Sequence, residues 1–207
     1  MTMRVAVAVS GRGSNLEALL RAMGADAPAQ VVLVLSNRPD AGALGRARLY
    51  GVPAEVLPDP ADGGEWLEQL ERYRVDLLVL AGYLKLVPAA VVAHYRHRIV
   101  NIHPALLPAF GGPGMYGRRV HEAVLRSGAR ESGATVHLVD EVYDRGEILA
   151  QRRVPVLPDD TPERLAARVL EVEHSLLPAV VRAAALAGHP VPLPDTCLLY
   201  TSPSPRD

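Results

Sequence analysis

The amino-acid sequence predicts an α/β fold: an open, mostly parallel twisted sheet with helices on both faces. Strand-like and helix-like patterns alternate along the chain, as they do in doubly wound proteins. A strand rich in β-branched residues at 5–10 leads through a glycine turn directly into a helix. Near the C-terminal part, two strand-like segments at 135–139 and 148–154 follow one another, which indicates an antiparallel strand pair.

The other elements are predicted from apolar periodicity and from the residues that end them. Strands are predicted at 31–36, near 55–57, at 76–81 and at 99–103, with Gly82 breaking the third of these and Pro104 ending the fourth. Helices are predicted at 15–23, near 41–50 and 65–73, from Pro88 to about residue 95, at 119–127 and at 161–187. The segment 104–117 is rich in Pro and Gly and is predicted to be a loop.

Length and composition predict one globular domain at 1–189. The chain has 207 residues, of which 49% are hydrophobic and 22% charged, as in ordinary globular proteins. Its formal net charge of −1 favours neither nucleic acid nor an anionic membrane as partner. The single cysteine excludes an intrachain disulfide, and no segment resembles a signal peptide or a membrane span. We therefore expect a cytoplasmic protein, and both a monomer and a homodimer stay open.

The segment 190–207 differs from the rest of the chain. It is crowded with Pro and Ser towards its end, and 198–205 has no periodicity. Such a segment is predicted to be irregular, and either disordered or loosely draped. Residues 197–207 also resemble translated sequencing-adapter read-through, which predicts that they are not native sequence.

The segment Gly11-Arg12-Gly13-Ser14-Asn15 follows the first predicted strand and opens the first helix. Glycines let the backbone approach a ligand closely, and the N–H groups at a helix N-terminus attract an anion. Ser14 is predicted as the N-cap, with the Asn15 amide available to a phosphate oxygen. The third glycine of dinucleotide-binding proteins is missing, because Leu16 stands there, and the ending of a Walker loop is missing too. A tight turn with a capping serine and a single-phosphate site both remain open, and we favour the phosphate site.

Asn101 and His103 are the strongest catalytic candidates. Alternation places both side chains on one face of the 99–103 strand, at its carboxyl end, where open α/β sheets bind their ligands. An amide can stabilise an oxyanion, and an imidazole can move a proton near neutral pH. The pair therefore predicts an active site. The alternative for His103 is a core histidine bonded to a neighbouring carbonyl.

A histidine acid needs a partner that favours its charged form, and Asp144 in the acidic loop 139–146 is the candidate. The alternative is a solvated turn aspartate. His137, on a predicted strand, is interpreted as either structural or lining the site. Four further histidines are interpreted as solvated: His94, His97, His121 and His189.

No metal site is predicted. The histidines and carboxylates do not have ligand spacing on one helix, and one cysteine cannot form a Cys-x-x-Cys pair. A Gly-x-Ser-x-Gly nucleophile turn is absent from the sequence as well.

A set of motifs stands in order between residue 4 and about residue 192. They are Ser10-Gly11-Arg12-Gly13-Ser14-Asn15, Leu35-Ser36-Asn37, Val79-Leu80-Ala81-Gly82-Tyr83, Asn101-Ile102-His103-Pro104-Ala105-Leu106-Leu107-Pro108, Gly133-Ala134-Thr135-Val136-His137, Asp144-Arg145-Gly146 and Glu173-His174. With them the chain resembles the phosphoribosylglycinamide formyltransferases, folate-dependent enzymes of purine synthesis. The resemblance implies a Rossmann-like formyltransferase fold. It also implies formyl transfer from 10-formyltetrahydrofolate to the amine of glycinamide ribonucleotide, with no metal.

The resemblance also implies a role for each matching residue. Asn101 would bond the formyl oxygen, His103 would be the acid, and Asp144 would raise the pKa of His103. The ribose-phosphate substrate would be held by Gly13, Ser14 and Asn15, and Glu173 would contact its glycinamide end. The folate site would be lined by Leu84, Lys85, Leu86, Val87, Asn101 and Asp140.

Two features depart from the family pattern. Gly64 stands where the family often has a ligand-binding arginine, so we expect either that the loop is shifted or that another cation, Arg72 or Lys85, compensates. The glycine-rich segment 111–117 is longer than in some members, and we expect it to act as a mobile cover.

Three alternatives stay open. The chain could be the core of a methionyl-tRNA formyltransferase, but that enzyme adds a C-terminal domain and a basic surface. It could be a formyltetrahydrofolate hydrolase, but that enzyme carries an extra N-terminal domain. It could also be a non-catalytic nucleotide-binding module, against which the missing third glycine argues.

Overall fold

The structure, a computed structural model, describes residues 2–194. Seven strands form one sheet in the order β3-β2-β1-β4-β5-β6-β7, with β1 to β5 parallel and β6 and β7 antiparallel. The strands are β1 (Met3–Val9), β2 (Ala29–Ser36), β3 (Ala54–Val56), β4 (Leu77–Leu80), β5 (Ile99–His103), β6 (Glu131–Leu138) and β7 (Ile148–Pro155). The predicted fold class, including the antiparallel pair, is confirmed.

Helices connect the strands close to the predicted positions. They are α1 (Ser14–Ala22), α2 (Gly42–Leu49), α3 (Gly63–Arg72), α4 (Ala89–His94), α5 (Arg118–Arg126) and α6 (Pro162–Ala187). The last helix shows how its ends are set by sequence. The Thr161 side chain accepts the N–H of Arg164 as N-cap, and Gly188 ends the helix in a left-handed conformation.

Apolar residues pack on both faces of the sheet. In β1, Val5 and Val7 face a core with α1, α2 and α6, whereas Ala6 and Ala8 face a second core with α3 and α4. This alternation within one strand is what period-2 geometry requires when both faces are covered.

Strand β6 begins at Glu131, four residues before the predicted start at 135. The prediction was too short because Ser132 and Gly133 carry no strand-like pattern. A Cβ atom at Gly133 would lie 2.1 Å from the carbonyl oxygen of Arg152 on β7, so only glycine permits this close pairing.

The order of the strands in the sheet determines where a functional site can form. The chain moves outwards from β1 through β2 to β3 and then returns to β4 on the other side of β1. A crevice forms at the carboxyl ends of strands where the winding reverses in this way, and ligands bind there. The glycine turn after β1 and the segment 82–88 after β4 therefore flank one crevice.

The described part of the predicted tail, residues 190–194, has no helix or strand, and the Leu193 N–H donates to the Leu149 carbonyl of β7 at 2.8 Å. The segment 197–207, predicted to be non-native, lies outside the described residues. Within residues 2–194, no helix is both long enough and apolar enough to cross a membrane.

Candidate active site

A cleft of about 1150 Å³ runs along the segments that follow β1, β4 and β5. It brings together every predicted site residue except Gly13. Those lining it are Ser14, Asn15, Leu84, Lys85, Leu86, Val87, Asn101, His103, Asp140, Asp144 and Glu173.

Strand β5 holds Asn101 and His103 on its cleft-facing side, as predicted. In the antiparallel ladder Asn101 lies opposite His137, and His103 lies opposite Thr135. His103 is 3% exposed although it lines the cleft. Its environment is therefore nearly dry, and electrostatic interactions there are stronger than in water.

Both nitrogens of the His103 ring have defined neighbours. Nε2 lies 2.8 Å from the carbonyl oxygen of Phe110, and because a carbonyl only accepts, Nε2 carries a hydrogen. Nδ1 lies 3.7 Å from Oδ2 of Asp144. A bond to a neighbouring carbonyl is what the alternative of a core histidine predicted, but the His103 ring also lines the cleft. With Nε2 engaged by that carbonyl, only Nδ1 is left to exchange a proton.

His137 sets the direction of the Asn101 amide. Nδ1 of His137 lies 2.7 Å from the Leu138 carbonyl oxygen and must donate to it. In the neutral ring, Nε2 is then a lone-pair acceptor, and it lies 3.0 Å from Nδ2 of Asn101. One amide hydrogen of Asn101 is held by this bond, and the other is left to donate elsewhere.

Asp144 lies between the two histidines. Its Oδ1 is 3.5 Å from Nε2 of His137, and its Oδ2 accepts the Gly112 N–H at 2.9 Å. The residue has a left-handed backbone with φ of 55°, a conformation that aspartate adopts more readily than most residues. The structure thus brings Asp144 to His103, a contact that sequence spacing alone did not provide.

Burial lowers the pKa of His103, although the Asp144 carboxylate and the Phe110 carbonyl act in the opposite direction. The effect of Asp144 is upward as the resemblance implied, but burial outweighs it and the net shift is downward. For Asp144, burial acts to raise the pKa, but the neighbouring His137 ring, the charge of His103 and the hydrogen bond from the Gly112 N–H outweigh it and lower the pKa. Near neutral pH, Asp144 is ionised and the His103 imidazolium is a minor form.

The glycine turn differs from the prediction in its cap. Gly13, not Ser14, is the N-cap of α1, and no side chain caps the helix. Gly13 has φ of 79°, and a Cβ atom there would lie 2.6 Å from Cβ of Ala43, so glycine is required. The first helical bond runs from Glu17 N–H to the Gly13 carbonyl. The amides of Ser14 and Asn15 precede it and are available to an anion, as a phosphate site needs.

Asn15 and Glu173 form a buried pair beside this turn. Nδ2 of Asn15 donates to Oε2 of Glu173 at 2.5 Å, whereas Oδ1 of Asn15 is buried with no partner among residues 2–194. Burial raises the pKa of Glu173 to about 7, and the Asn15 bond acts against that rise. The Asn15 amide is thus engaged by a carboxylate in this structure, where a phosphate contact was predicted.

The segment 84–87 forms the other side of the cleft. Leu84 and Leu86 are about half exposed, and Val142 across the cleft is exposed to a similar degree. Ser10 joins this segment to the phosphate turn, because its hydroxyl accepts the Leu84 N–H at 2.9 Å and donates to Oδ1 of Asn37 at 2.7 Å. A flat, largely apolar ligand suits this side.

Of the two cations expected to compensate for Gly64, only Lys85 lines the cleft. Arg72 lies over the Tyr73 ring, 5.6 Å from its centre. Gly64 itself donates its N–H to the N-cap residue Asp62 at the start of α3.

The prediction that His121 is solvated was wrong. The residue lies on α5, is 4% exposed and lines the cleft, whereas His94, His97 and His189 are exposed as predicted. It shares the buried face of α5 with Val120 and Val124. The helical spacing of these three residues is the sequence signal that indicates this burial. Arg12, an exposed residue of the glycine turn that also lines the cleft, was likewise not singled out.

Within residues 2–194, no group of three or more His, Cys, Asp or Glu side chains is arranged to hold a metal ion. The side chains that line the cleft can offer hydrogen bonding, proton transfer and charge stabilisation.

Comparison with known proteins gives matches along most of the chain. The sequence profile of the formyl transferase family matches residues 3–181. A relative from Arabidopsis thaliana, named phosphoribosylglycinamide formyltransferase, chloroplastic, is 50% identical over 188 residues, which are 87% of this chain and 64% of the relative. The chain thus spans less than two thirds of that plant relative. A relative from Haemophilus influenzae, named phosphoribosylglycinamide formyltransferase, is 36% identical and covers 86% of this chain and 85% of the relative.

Solved structures give the same result. A phosphoribosylglycinamide formyltransferase from Anaplasma phagocytophilum matches with a TM-score of 0.85 and 38% identity, over 90% of this chain and 88% of that chain. A glycinamide ribonucleotide transformylase from Symbiobacterium toebii matches with a TM-score of 0.83 and 38% identity, over 90% of this chain and 89% of that chain.

Proposed function

We propose a function from the family to which the chain belongs: it is a member of the formyl transferase family and, within it, of the phosphoribosylglycinamide formyltransferases. On that basis we propose that it transfers a formyl group from 10-formyltetrahydrofolate to the amine of glycinamide ribonucleotide in purine (IMP) biosynthesis. The observation that carries the proposal is the cluster of Asn101, His103, His137 and Asp144 at the floor of one cleft.

The two sides of the cleft supply the two substrate sites. The ribonucleotide phosphate binds the free amides of the glycine turn at Gly13, Ser14 and Asn15. Glu173 binds the same substrate from α6. The folate ring system binds the opposite side, where the segment 84–87 and the loop at Asp140 present apolar surface and backbone groups.

The amine nitrogen attacks the formyl carbon, and a tetrahedral intermediate with a negatively charged oxygen forms. The free N–H of Asn101 donates to that oxygen, and the His103 imidazolium neutralises its charge in nearly dry surroundings. Asp144 holds the imidazolium by its own negative charge. Loss of one such donor costs about 3 kcal/mol in transition-state stabilisation.

Proton transfer completes the reaction. The attacking amine loses one proton, and N10 of the departing folate gains one as the carbon–nitrogen bond breaks. His103 serves this transfer at Nδ1, since its Nε2 is held by the Phe110 carbonyl, either directly or through one water. The enzyme forms no covalent bond to the formyl group.

A comparison of acceptors tests the proposal. Purified protein is given 10-formyltetrahydrofolate with glycinamide ribonucleotide, with methionyl-tRNA or with water alone, and tetrahydrofolate release is measured. We expect release with the ribonucleotide only. Release with tRNA alone would identify a methionyl-tRNA formyltransferase, and equal release in water would identify a hydrolase. No reaction with any acceptor would point to a non-catalytic binding module.

Cytoplasmic location and a monomeric or homodimeric state remain predictions. Sedimentation of the purified protein distinguishes the two oligomeric states.

A further inference from the structure

His121 is a buried polar side chain that the proposed reaction does not use. Its ring lines the cleft, and the residue is only 4% exposed. Nδ1 is buried without a hydrogen-bond partner among residues 2–194. No described residue bonds Nε2 either, and Nε2 is not among the fully buried atoms. Nε2 is therefore the ring nitrogen that the cleft can reach.

The burial of Nδ1 selects one tautomer. A buried N–H without an acceptor is rarer in proteins than a buried lone pair without a donor. The hydrogen of the neutral ring therefore belongs on Nε2, where it points to the cleft. In this form His121 is a hydrogen-bond donor without an acceptor of its own.

The ring is also kept neutral. Burial, together with the nearby His103, lowers the pKa of His121 to about 4. Two imidazolium ions near each other in a dry cleft repel one another. A neutral His121 leaves the single positive charge to His103, while it can still polarise an oxygen through its N–H.

The position of His121 identifies the substrate that it faces. It lies near the start of α5, which packs against α6. The cleft-lining face of α6 carries Leu170 and Glu173, and Glu173 is bonded to Asn15 in the phosphate turn. Because α5 packs against α6, we assign His121 to the ribonucleotide side of the cleft and not to the folate segment 84–87.

We propose that His121 is a neutral donor that binds an acceptor oxygen of the ribonucleotide through Nε2–H. The inference rests on the proposed function, since that function supplies the ribonucleotide as ligand. It adds a substrate-binding residue on α5 that determines ribonucleotide affinity and leaves folate affinity unaffected.

Three variants test it by steady-state kinetics: His121→Leu, His121→Gln and the exposed-site control His97→Leu. We expect His121→Leu to raise the KM for glycinamide ribonucleotide about tenfold and to leave the KM for 10-formyltetrahydrofolate within twofold. His121→Gln keeps an N–H near the position of Nε2, so its KM stays within about threefold of wild type. An unchanged ribonucleotide KM in His121→Leu, equal rises for both substrates, or a Gln variant as weak as Leu would each overturn the proposal.

A measurement on the unaltered protein covers the case in which His121→Leu fails to fold. Nitrogen-15 spectra of the wild type should show the Nε2–H tautomer of His121, and added ribonucleotide should shift that signal while a folate analogue does not. A Nδ1–H tautomer, or a His121 signal that does not shift when the ribonucleotide is added, would contradict the proposal. Wild-type protein that binds the ribonucleotide but gives no formyl transfer would refute the proposed function instead.

Discussion

The polar side chains on the floor of the cleft have hydrogen-bond partners, whereas some polar atoms on the ribonucleotide side have none. On the floor, Asn101, His137 and Asp144 each have a partner, and His103 is held through Nε2. On the ribonucleotide side, Nε2 of His121 and Oδ1 of Asn15 have no hydrogen-bond partner among residues 2–194. Groups that stabilise a transition state must be preorganised, whereas groups that bind a substrate can form their bonds when it arrives. The contrast agrees with the roles proposed above, in which the floor residues are catalytic and the others bind the ribonucleotide.

The largest effect should come from replacing His103, the floor residue that is proposed to transfer a proton at Nδ1. We expect His103→Ala to lower kcat about 10³-fold, because both charge stabilisation and proton transfer are lost. The exposed His97→Ala is the matched control and should keep wild-type kcat. If His103→Ala is folded by circular dichroism and retains most of its turnover, the floor is not the catalytic part of the cleft.

Asp144→Asn tests whether kcat and the pKa of His103 depend on the Asp144 carboxylate. Asp144 acts upward on the pKa of His103, so its loss lets burial lower that pKa further and makes the imidazolium scarcer. We expect kcat to fall about 10²-fold and the NMR titration of His103 to move to lower pH. The exposed Glu147→Gln should change neither quantity. A His103 titration that stays in place would show that the two side chains are not coupled.

Glu173→Gln tests the ribonucleotide side through stability. The folded-state pKa of Glu173 is raised to about 7 from 4.5, so between these pH values the folded chain holds a proton that the unfolded chain has released. Stability from this group is therefore present below pH 4.5 and is lost as pH rises through 7. His103, His121 and His174 have lowered pKa values and act in the opposite direction over this range, so the quantity to compare is the stability difference between the two proteins. Thermal unfolding between pH 5 and 8 should show the stability of wild type falling relative to that of Glu173→Gln as pH rises.

The exposed Glu68→Gln is the control for that series, and its profile should match wild type. A stability difference between wild type and Glu173→Gln that stays constant, or that shifts in favour of wild type as pH rises, would contradict the assigned protonation of Glu173.

The smallest effect should appear at the exposed rim, where water screens the charge. We expect Lys85→Ala to raise the KM for 10-formyltetrahydrofolate about threefold, because exposed charge interactions are weak. Arg72→Ala should leave that KM unchanged, since Arg72 lies over Tyr73 outside the cleft. A larger rise of this KM in Arg72→Ala than in Lys85→Ala would show that Arg72 compensates for Gly64.

Much of the fold could be predicted because its signals are local. The strand Ile99–His103 has the predicted bounds, since β-branched residues alternate with polar ones and Pro104 ends the run. The start of β6 was missed because it depends on pairing with β7, which the pattern around Gly133 does not show.

The site was predictable residue by residue but not as an arrangement. Asn101 and His103 lie two residues apart, so strand geometry alone puts them on one face. The approach of Asp144 to His103 depends on how the 139–146 loop folds back over β5, which no local pattern contains. The partner of Nε2, a backbone carbonyl at Phe110, has no sequence signal at all.

The central claim is that Asn101 and His103 stabilise the same developing charge, and a double-mutant cycle on single-turnover rates tests it most directly. The rates of wild type, Asn101→Ala, His103→Ala and the double variant are measured with both substrates saturating. The account predicts losses of about 10²-fold and 10³-fold for the single variants, with a double variant that loses clearly less than their product. A single variant with the wild-type rate, or two losses that multiply in full, would contradict it.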